Sequence, residues 1–387
     1  MRLTGARVAL SATSAERVDV EIRQGRIWPA RNSGPQLDLD GHLILPGLIN
    51  SHDHLEFNLF PRLGNGPYPN ATAWAEDIYH PHRSPIKEHL AVPKALRLLW
   101  GGLKNLLSGV TTVAHHNPYD ETFERGFPVR VVKRFGWAHS LRFAPDLAAR
   151  SKVASNRWPF LIHAAEGTDE SAASEIPELE RAGVLRRRTV LIHCVGIDCH
   201  SVKTLLRRQS SLVWCPSSNL FTLSQTLASE VLRSGIPIAL GTDSALTCQG
   251  DLAGELQVAR RVGRLGAEDI YPMVTTEAAR ILRLTRGEGK IRENGIADLL
   301  VVPDSGRNPA EALQQFRPAL VMLGGKIQLI SRKLASRIDP QLTRSLQKVE
   351  LKGRGTWLVN VNVGLLHAAT EAFLGSGFQL SGKPVRV

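Results

Sequence analysis

Along the first forty residues short apolar runs alternate with polar positions, in "ARVALSA", "RVDVEIRQGRIWPA" and "QLDLDGHLIL", separated by Gly, Pro and Asn32-Ser33-Gly34. A two-residue period broken by turn formers predicts antiparallel strands. From "PGLIN" at 46–50 the pattern changes, and strand-length apolar runs alternate with stretches of helical period. The strand candidates are "GLINSHDH", "GVTTVAHHN", "GWAHSLRF", "PFLIHAAE", "TVLIHCVG", "SLVWCPSSN" and "IPIALGTDS". Helical stretches such as "HLAVPKALRLLWGGLKNLLS" and "EIPELERAGV" lie between them. Runs as apolar as "VLIH" and "IALG" suit strands covered on both faces, and repeated strand-then-helix predicts a parallel sheet. After "TTEAARILRL" the β pattern returns in "GEGKIRENGIADLLVVP" and "ALVMLGGKIQLIS". The two ends of the chain are therefore expected to pair into one small β domain, with the βα domain inserted between them. The tail from 351 onward mixes a strand-like and a helix-like part and takes no assignment.

Nearly every strand candidate closes on a metal-capable or proton-transferring residue: His52 and His54, His115 and His116, His163 and Glu166, His193, and Asp243. In a (β/α) barrel the C-terminal ends of the strands share one face, so residues distant in sequence meet there. Residues i and i+2 of a strand point the same way, which aims His52 and His54 at one point and turns Asp53 to the other side. With His163 and Asp243 they make an N/O donor set suited to zinc, or to iron or manganese. Thiolates are absent from the set, which favours a hydrolytic over a structural centre. His115 and His116 face opposite ways, so one is expected to line the pocket and its neighbour to pack behind. Trp74 and Tyr79, in the long segment after the first strand, are candidates for a lid over the substrate. His80, His82, His89 and His200 are read as ordinary surface or structural histidines, and Cys215 and Asn219 of "CPSSN" as loop-shaping.

Composition narrows the class. With 387 residues, 43% hydrophobic and 22% charged, the chain is globular and long enough for one large α/β domain and a smaller one. The opening "MRLTGARVALSATSAERVDV" meets charge before an apolar core forms, so a cytoplasmic protein without a membrane anchor is expected. Four cysteines without a C-x-x-C pair give neither a disulfide framework nor a zinc ribbon. The net charge of +12 gathers in "RAGVLRRR" and between Arg332 and Arg354. No nucleic-acid-binding motif accompanies it, so it reads as a solvated face, compatible with an anionic small-molecule substrate.

The joint order of "PGLINSHDHLEF", "SGVTTVAHH", "FLIHAAEGTDE", "VLIHCVG", "VWCPSSNL", "ALGTDSAL" and "GKIRENGIADLLVV" resembles the amidohydrolase superfamily, in its branch of cytosine, guanine and adenosine-type deaminases and triazine chlorohydrolases. The resemblance implies a (β/α)8 barrel, TIM-like, with a small β-sandwich built from both termini. The corresponding ranges are 1–45 and 291–387 for the sandwich and tail, and 46–290 for the barrel. It also makes His52, His54, His163 and Asp243 the ligands of one divalent metal, zinc first. Glu166 becomes the proton shuttle, His193 the group that polarises substrate or holds water, and Asp243 the base. Between Asn117 and Phe160 the chain is shorter than that branch, which predicts one abbreviated strand–helix unit.

A metal-activated water attacking a C=N or C=O carbon follows, and hydrolytic deamination of a cyclic amidine or nitrogen heterocycle is the reading carried forward. Opening of a cyclic amide uses the same groups. A non-catalytic binding or assembly protein of this fold is the competing class, but such a protein would not need the full donor set. A homo-oligomer is compatible with the sequence.

Overall fold

The structure is a computed structural model that describes residues 1–30 and 35–387, so the turn expected at Asn32-Ser33-Gly34 lies outside the described residues. Its central feature is a set of short parallel strands: β1 (Leu48–Asp53), β2 (Val110–His115), β3 (Arg130–Val131), β4 (Gly136–Ser140), β5 (Phe160–Ala164), β6 (Thr189–His193), β7 (Ser211–Trp214) and β8 (Ile238–Leu240). Leu48, Ile162, Leu191 and Leu212 pack in one cluster and Ile49, Leu161, Ile192 and Val213 in another. Both faces of these strands are therefore covered, as their unbroken apolar runs require.

The helices that matter for the site are α1 (Ala71–Ile78), α2 (Lys94–Leu107), α3 (Glu170–Arg181), α4 (Pro216–Leu223) and α5 (Leu252–Gly263). In α3 the Asp169 carboxylate accepts from the Ala172 N–H and caps the first turn. Ala172, Ile176 and Leu179 then bury one stripe, and Ile176 and Leu179 contribute about 1.5–3 kcal/mol each by leaving water. α2 lies against the chain just past β1, where a Cβ on Gly101 would stand 2.2 Å from Leu55 O. Glycine is required there, and its close approach sets Lys104 and Asn105 against the back of β1.

The strands do not close into an eight-stranded ladder, which corrects the (β/α)8 barrel in its closure; the ladder is interrupted between Asn117 and Phe160, the stretch expected to hold the abbreviated strand–helix unit. They pair as β3-β2-β1 and as β4-β5-β6-β7-β8, each pair parallel. The break between β2 and β4 has a physical reason. Only 132–135 separate β3 from β4, too few for the crossover a separate parallel strand needs. β3, two residues long, takes the edge of β2 through Arg130↔Thr112 and Val131↔Val113. β4 then meets the end of β2 through a side chain, with His116 Nε2 2.9 Å from Ala138 O. On the other side β8 meets β1 through the Thr242 and Asp243 N–H groups, which donate to His52 O at 3.0 and 3.1 Å. A Cβ on Gly241 would lie 2.6 Å from His52 Cβ, so only glycine lets the two strand ends come this close.

The termini form two further sheets. Arg2–Thr4, Val20–Arg23, Arg26–Pro29 and Gln36–Asp38 make a four-stranded one. In the ten-stranded one, His42–Pro46 pairs antiparallel with Leu299–Pro303, Ile44 opposite Val301, which joins the two ends of the chain. Leu3, Val20, Ile22 and Leu37 of the first sheet share a core with Val8, Ile44, Leu299 and Met322 of the second. The tail adds strands Gln347–Leu351 and Gly355–Val359 to the larger sheet, followed by helix Val363–Leu374. Among the described residues no helix is long and apolar enough to cross a membrane.

Candidate metal centre and active site

His52 is the last but one residue of β1, and its i+2 partner His54 follows the strand. Their Nε2 atoms stand 3.6 and 3.8 Å from Asp243 Oδ1, delivered by the turn after β8. From β5, His163 brings its Nε2 to 3.3 Å from His52 Nε2. Two ligands about 2.0–2.1 Å from one ion at a tetrahedral angle are roughly 3.3 Å apart, so the donors fit a small divalent cation without rearrangement. Two overlapping triads of such atoms lie within 4.8 Å: His52, His54 and Asp243, and His52, His163 and His193.

Protonation suits the same role. His163 Nδ1 lies 2.8 Å from His139 O, so Nδ1 carries the ring proton and Nε2 keeps its lone pair. Burial, with His52 beside it, pushes His54 down to about 3. His163 is driven well below the ordinary imidazole range by burial and by the surrounding rings of His116, His139 and His52. Burial alone would raise Asp243, but His52, His54 and His193 outweigh it and hold the carboxyl well below its ordinary value. Neutral imidazoles around an ionised carboxylate are the forms that bind a metal. The Ser218 and Thr247 hydroxyls occupy Asp243 Oδ2 at 2.7 and 2.9 Å, and the Ser244 N–H reaches Oδ1 at 2.8 Å.

His193 ends β6 with φ 74°, and Asp243 has φ 55°. The left-handed region costs a side-chain-bearing residue of order 1–3 kcal/mol, and such strain gathers where geometry serves a site. His193 Nε2 faces Glu166 Oε1 at 3.5 Å. Burial first, then the Asp243 charge, then Glu175, raise Glu166 well above the ordinary carboxylate range, which favours its protonated form. The Glu166 carbonyl accepts from Ala71 N and so ties the start of α1 to the site loop.

His116 packs on the site side of β2, its ring 4.2 Å from that of His163 and 5.2 Å from that of His52. His115 turns behind the strand: Leu55 N–H donates to its Nδ1, its Nε2 lies 3.6 Å from Glu56, and its ring packs on Phe123. Trp74 sits in α1, where its indole N–H donates to Leu63 O at 3.0 Å; nothing brings it against the histidines. Tyr79 is exposed.

Asp53 is fully buried on the side of the strand away from His52 and His54, as its turned-away position predicts. Lys104 Nζ lies 2.9 Å from Asp53 Oδ2, Asn105 donates to the same oxygen at 2.8 Å, and Asn58 donates to Oδ1 at 2.8 Å. Two site neighbours, His139 and Ser218, escaped the sequence reading, and a third, Asn219, is read there as loop-shaping. His139 stands at the end of β4, its ring 4.9 Å from that of His163. Its strand, "GWAHSLRF", gave the position but no partner. Ser218 and Asn219 reach Asp243 and His193 from the first turn of α4, and only the "CPSSN" turn after a strand could have flagged them.

Residues 144–328 match the Amidohydrolase family. That stretch holds His163, Glu166, His193 and Asp243. Over 354 residues the chain is 24% identical to a 5-methylthioadenosine/S-adenosylhomocysteine deaminase of Syntrophobacter fumaroxidans, with 74% of this chain and 76% of the relative covered. The fold is similar to that of a zinc-bound adenosine deaminase of Xanthomonas campestris, with TM-score 0.67, 16% identity, and 96% and 98% of the two chains covered. It is also similar to the zinc complex of atrazine chlorohydrolase from Arthrobacter aurescens, with TM-score 0.73, 16% identity, and 96% and 99% covered. The proteins it is similar to are thus named as deaminases and a chlorohydrolase.

Proposed function

We propose that the chain is a zinc-dependent hydrolytic deaminase of a nitrogen heterocycle carrying a cyclic amidine, the purine ring of a nucleoside being first to test. The observation that carries this is the convergence of His52, His54 and His163 Nε2 with Asp243 Oδ1, flanked by Glu166 and His193. These four would hold the ion. A bound divalent ion supplies Lewis acidity and brings the pKa of a water from about 15.7 to about 7.

The protein's own groups do the rest. Asp243, ionised, takes the proton of the attacking water. Glu166, kept protonated by its surroundings, gives its proton to the ring nitrogen as the amidine carbon becomes tetrahedral; the proton held by Asp243 then passes to the departing amine, and Glu166 takes up the hydroxyl proton as the carbonyl forms. Water and amidine thereby yield a carbonyl and ammonia. The His193 ring faces the position where negative charge develops. The same reading divides the chain into 1–45 and 291–387, a small β-sandwich with its tail, and 46–290, the catalytic unit.

The test is ammonia release by zinc-loaded protein from purine nucleosides, pyrimidines, pterins and triazines, with cyclic amides scored for ring opening. Release from one heterocycle, lost in His54→Ala, is expected. Ring opening alone, or activity that survives exhaustive chelation, would overturn the reading.

A further inference from the structure

The two triads of metal-capable atoms share His52 and differ in what completes them, His163 with His193 or His54 with Asp243. An imidazole binds a cation only through a nitrogen that carries no proton. Where the proton of neutral His193 sits therefore decides whether that residue is a ligand or a hydrogen-bond donor.

Asn219 reaches His193 from the first turn of α4, Nδ2 lying 2.8 Å from His193 Nδ1, with both side chains buried. An amide N–H donates, so Nδ1 accepts, and the single proton of the neutral ring must lie on Nε2. That nitrogen is the one facing Glu166 Oε1 at 3.5 Å, an acceptor. Asn219 has no second anchor, since its Oδ1 is buried without a hydrogen-bond partner. A buried acceptor left unpaired costs about 1–3 kcal/mol, so the side chain is placed for His193 at the expense of stability. The adjacent Ser218 donates to Asp243 Oδ2 at 2.7 Å, so one helical turn orients the groups that complete both triads.

We propose that Asn219 is a positioning residue that fixes His193 as the Nε2–H tautomer. The ring is thereby kept out of the ligand set, which stays with His52, His54, His163 and Asp243, and an N–H is pointed at the atom of the substrate that gains negative charge. This rests on the proposed deaminase reading for its catalytic consequence, but the tautomer itself does not.

The experiment is heteronuclear NMR of the protein with ¹⁵N-labelled histidine rings, metal-free and zinc-loaded, with the His193 signals assigned by their loss in His193→Gln. The wild type is expected to show His193 protonated at Nε2 in both states. In Asn219→Asp, of the same size but able only to accept, the proton is expected to move to Nδ1. The kcat then falls about 10²–10³-fold, the effect of losing one donor to developing charge, while KM changes much less. A wild-type spectrum with the proton on Nδ1, an Asn219→Asp spectrum that keeps it on Nε2, or an Asn219→Asp enzyme with full kcat would each overturn the proposal. If the wild type released ammonia from no heterocycle, the deaminase reading would fail while the spectra still decided the tautomer.

Discussion

Asp243 combines two demands that seldom coexist in one carboxylate: it is buried, yet held ionised by the imidazoles around it. Oδ2 is saturated by Ser218 and Thr247, and Oδ1, which accepts from the Ser244 N–H, is the oxygen turned to His52 and His54. Asp243→Asn keeps the shape and can still accept from those hydroxyls, but it loses the charge and the basicity. Turnover is expected to fall at least about 10³-fold, with a circular-dichroism spectrum and melting cooperativity like those of the wild type. Asp53 differs, because its charge is answered by Lys104 in a site closed to water. Lys104→Met would leave that carboxylate buried and unpaired, at about 3–5 kcal/mol in urea unfolding, whereas Asp53→Asn combined with Lys104→Met should recover much of the loss. The i, i+2 spacing of His52 and His54 made their convergence legible in sequence. His139 and Asn219 were not, because a lone polar residue at a strand or helix end has no periodic partner to betray its direction.

At the scale of elements, the strands with near-continuous apolar runs were legible, since period and length both identify them. Of the passage through β3 and β4, β4 was legible in "GWAHSLRF" but β3 and its pairing were not. The residues there alternate too little to show that the chain makes two edge pairings without a helix between them. A similar local contest governs α5, whose Glu255 is buried and accepts from Ser217 N, at the start of α4, and from Cys248 Sγ. Burial, only partly offset by these bonds, raises its carboxyl from 4.5 to about 7. The native state therefore binds the proton more tightly than the unfolded chain. Stability from this group is full below about pH 4.5 and is lost as pH rises through about 7. Glu255→Gln lacks that loss. Between pH 5 and 8 the wild type should lose on the order of 3 kcal/mol relative to the variant, read from denaturation midpoints at the two pH values. Equal pH slopes in the two proteins would show that Glu255 is ionised in the folded state throughout.

Over the whole molecule, the tail that the sequence left unassigned joins the sheet of both termini to the site. Trp357 lies in the main core, Trp100 of α2 donates to Thr370 of the helix Val363–Leu374, and Ser381 N–H donates to Asn58 O next to Asp53. Trp357→Ala should cost about 3–5 kcal/mol, as loss of a large core side chain does. The proposed metal centre would add a second long-range tie, because its donors come from positions 52, 54, 163 and 243 and meet only in the folded chain. An ion bound there favours the native state by RT ln(1 + [L]/Kd), about 2.7 kcal/mol when free zinc is a hundred times Kd. Chelated protein should therefore melt at a lower temperature than zinc-loaded protein, and the difference should grow with the logarithm of free zinc. His54→Ala, which removes one donor at the edge of the set, should flatten that dependence while leaving the melting temperature of the chelated form near that of the wild type. A zinc dependence that persisted unchanged in His54→Ala would mean that the ion binds elsewhere on the chain.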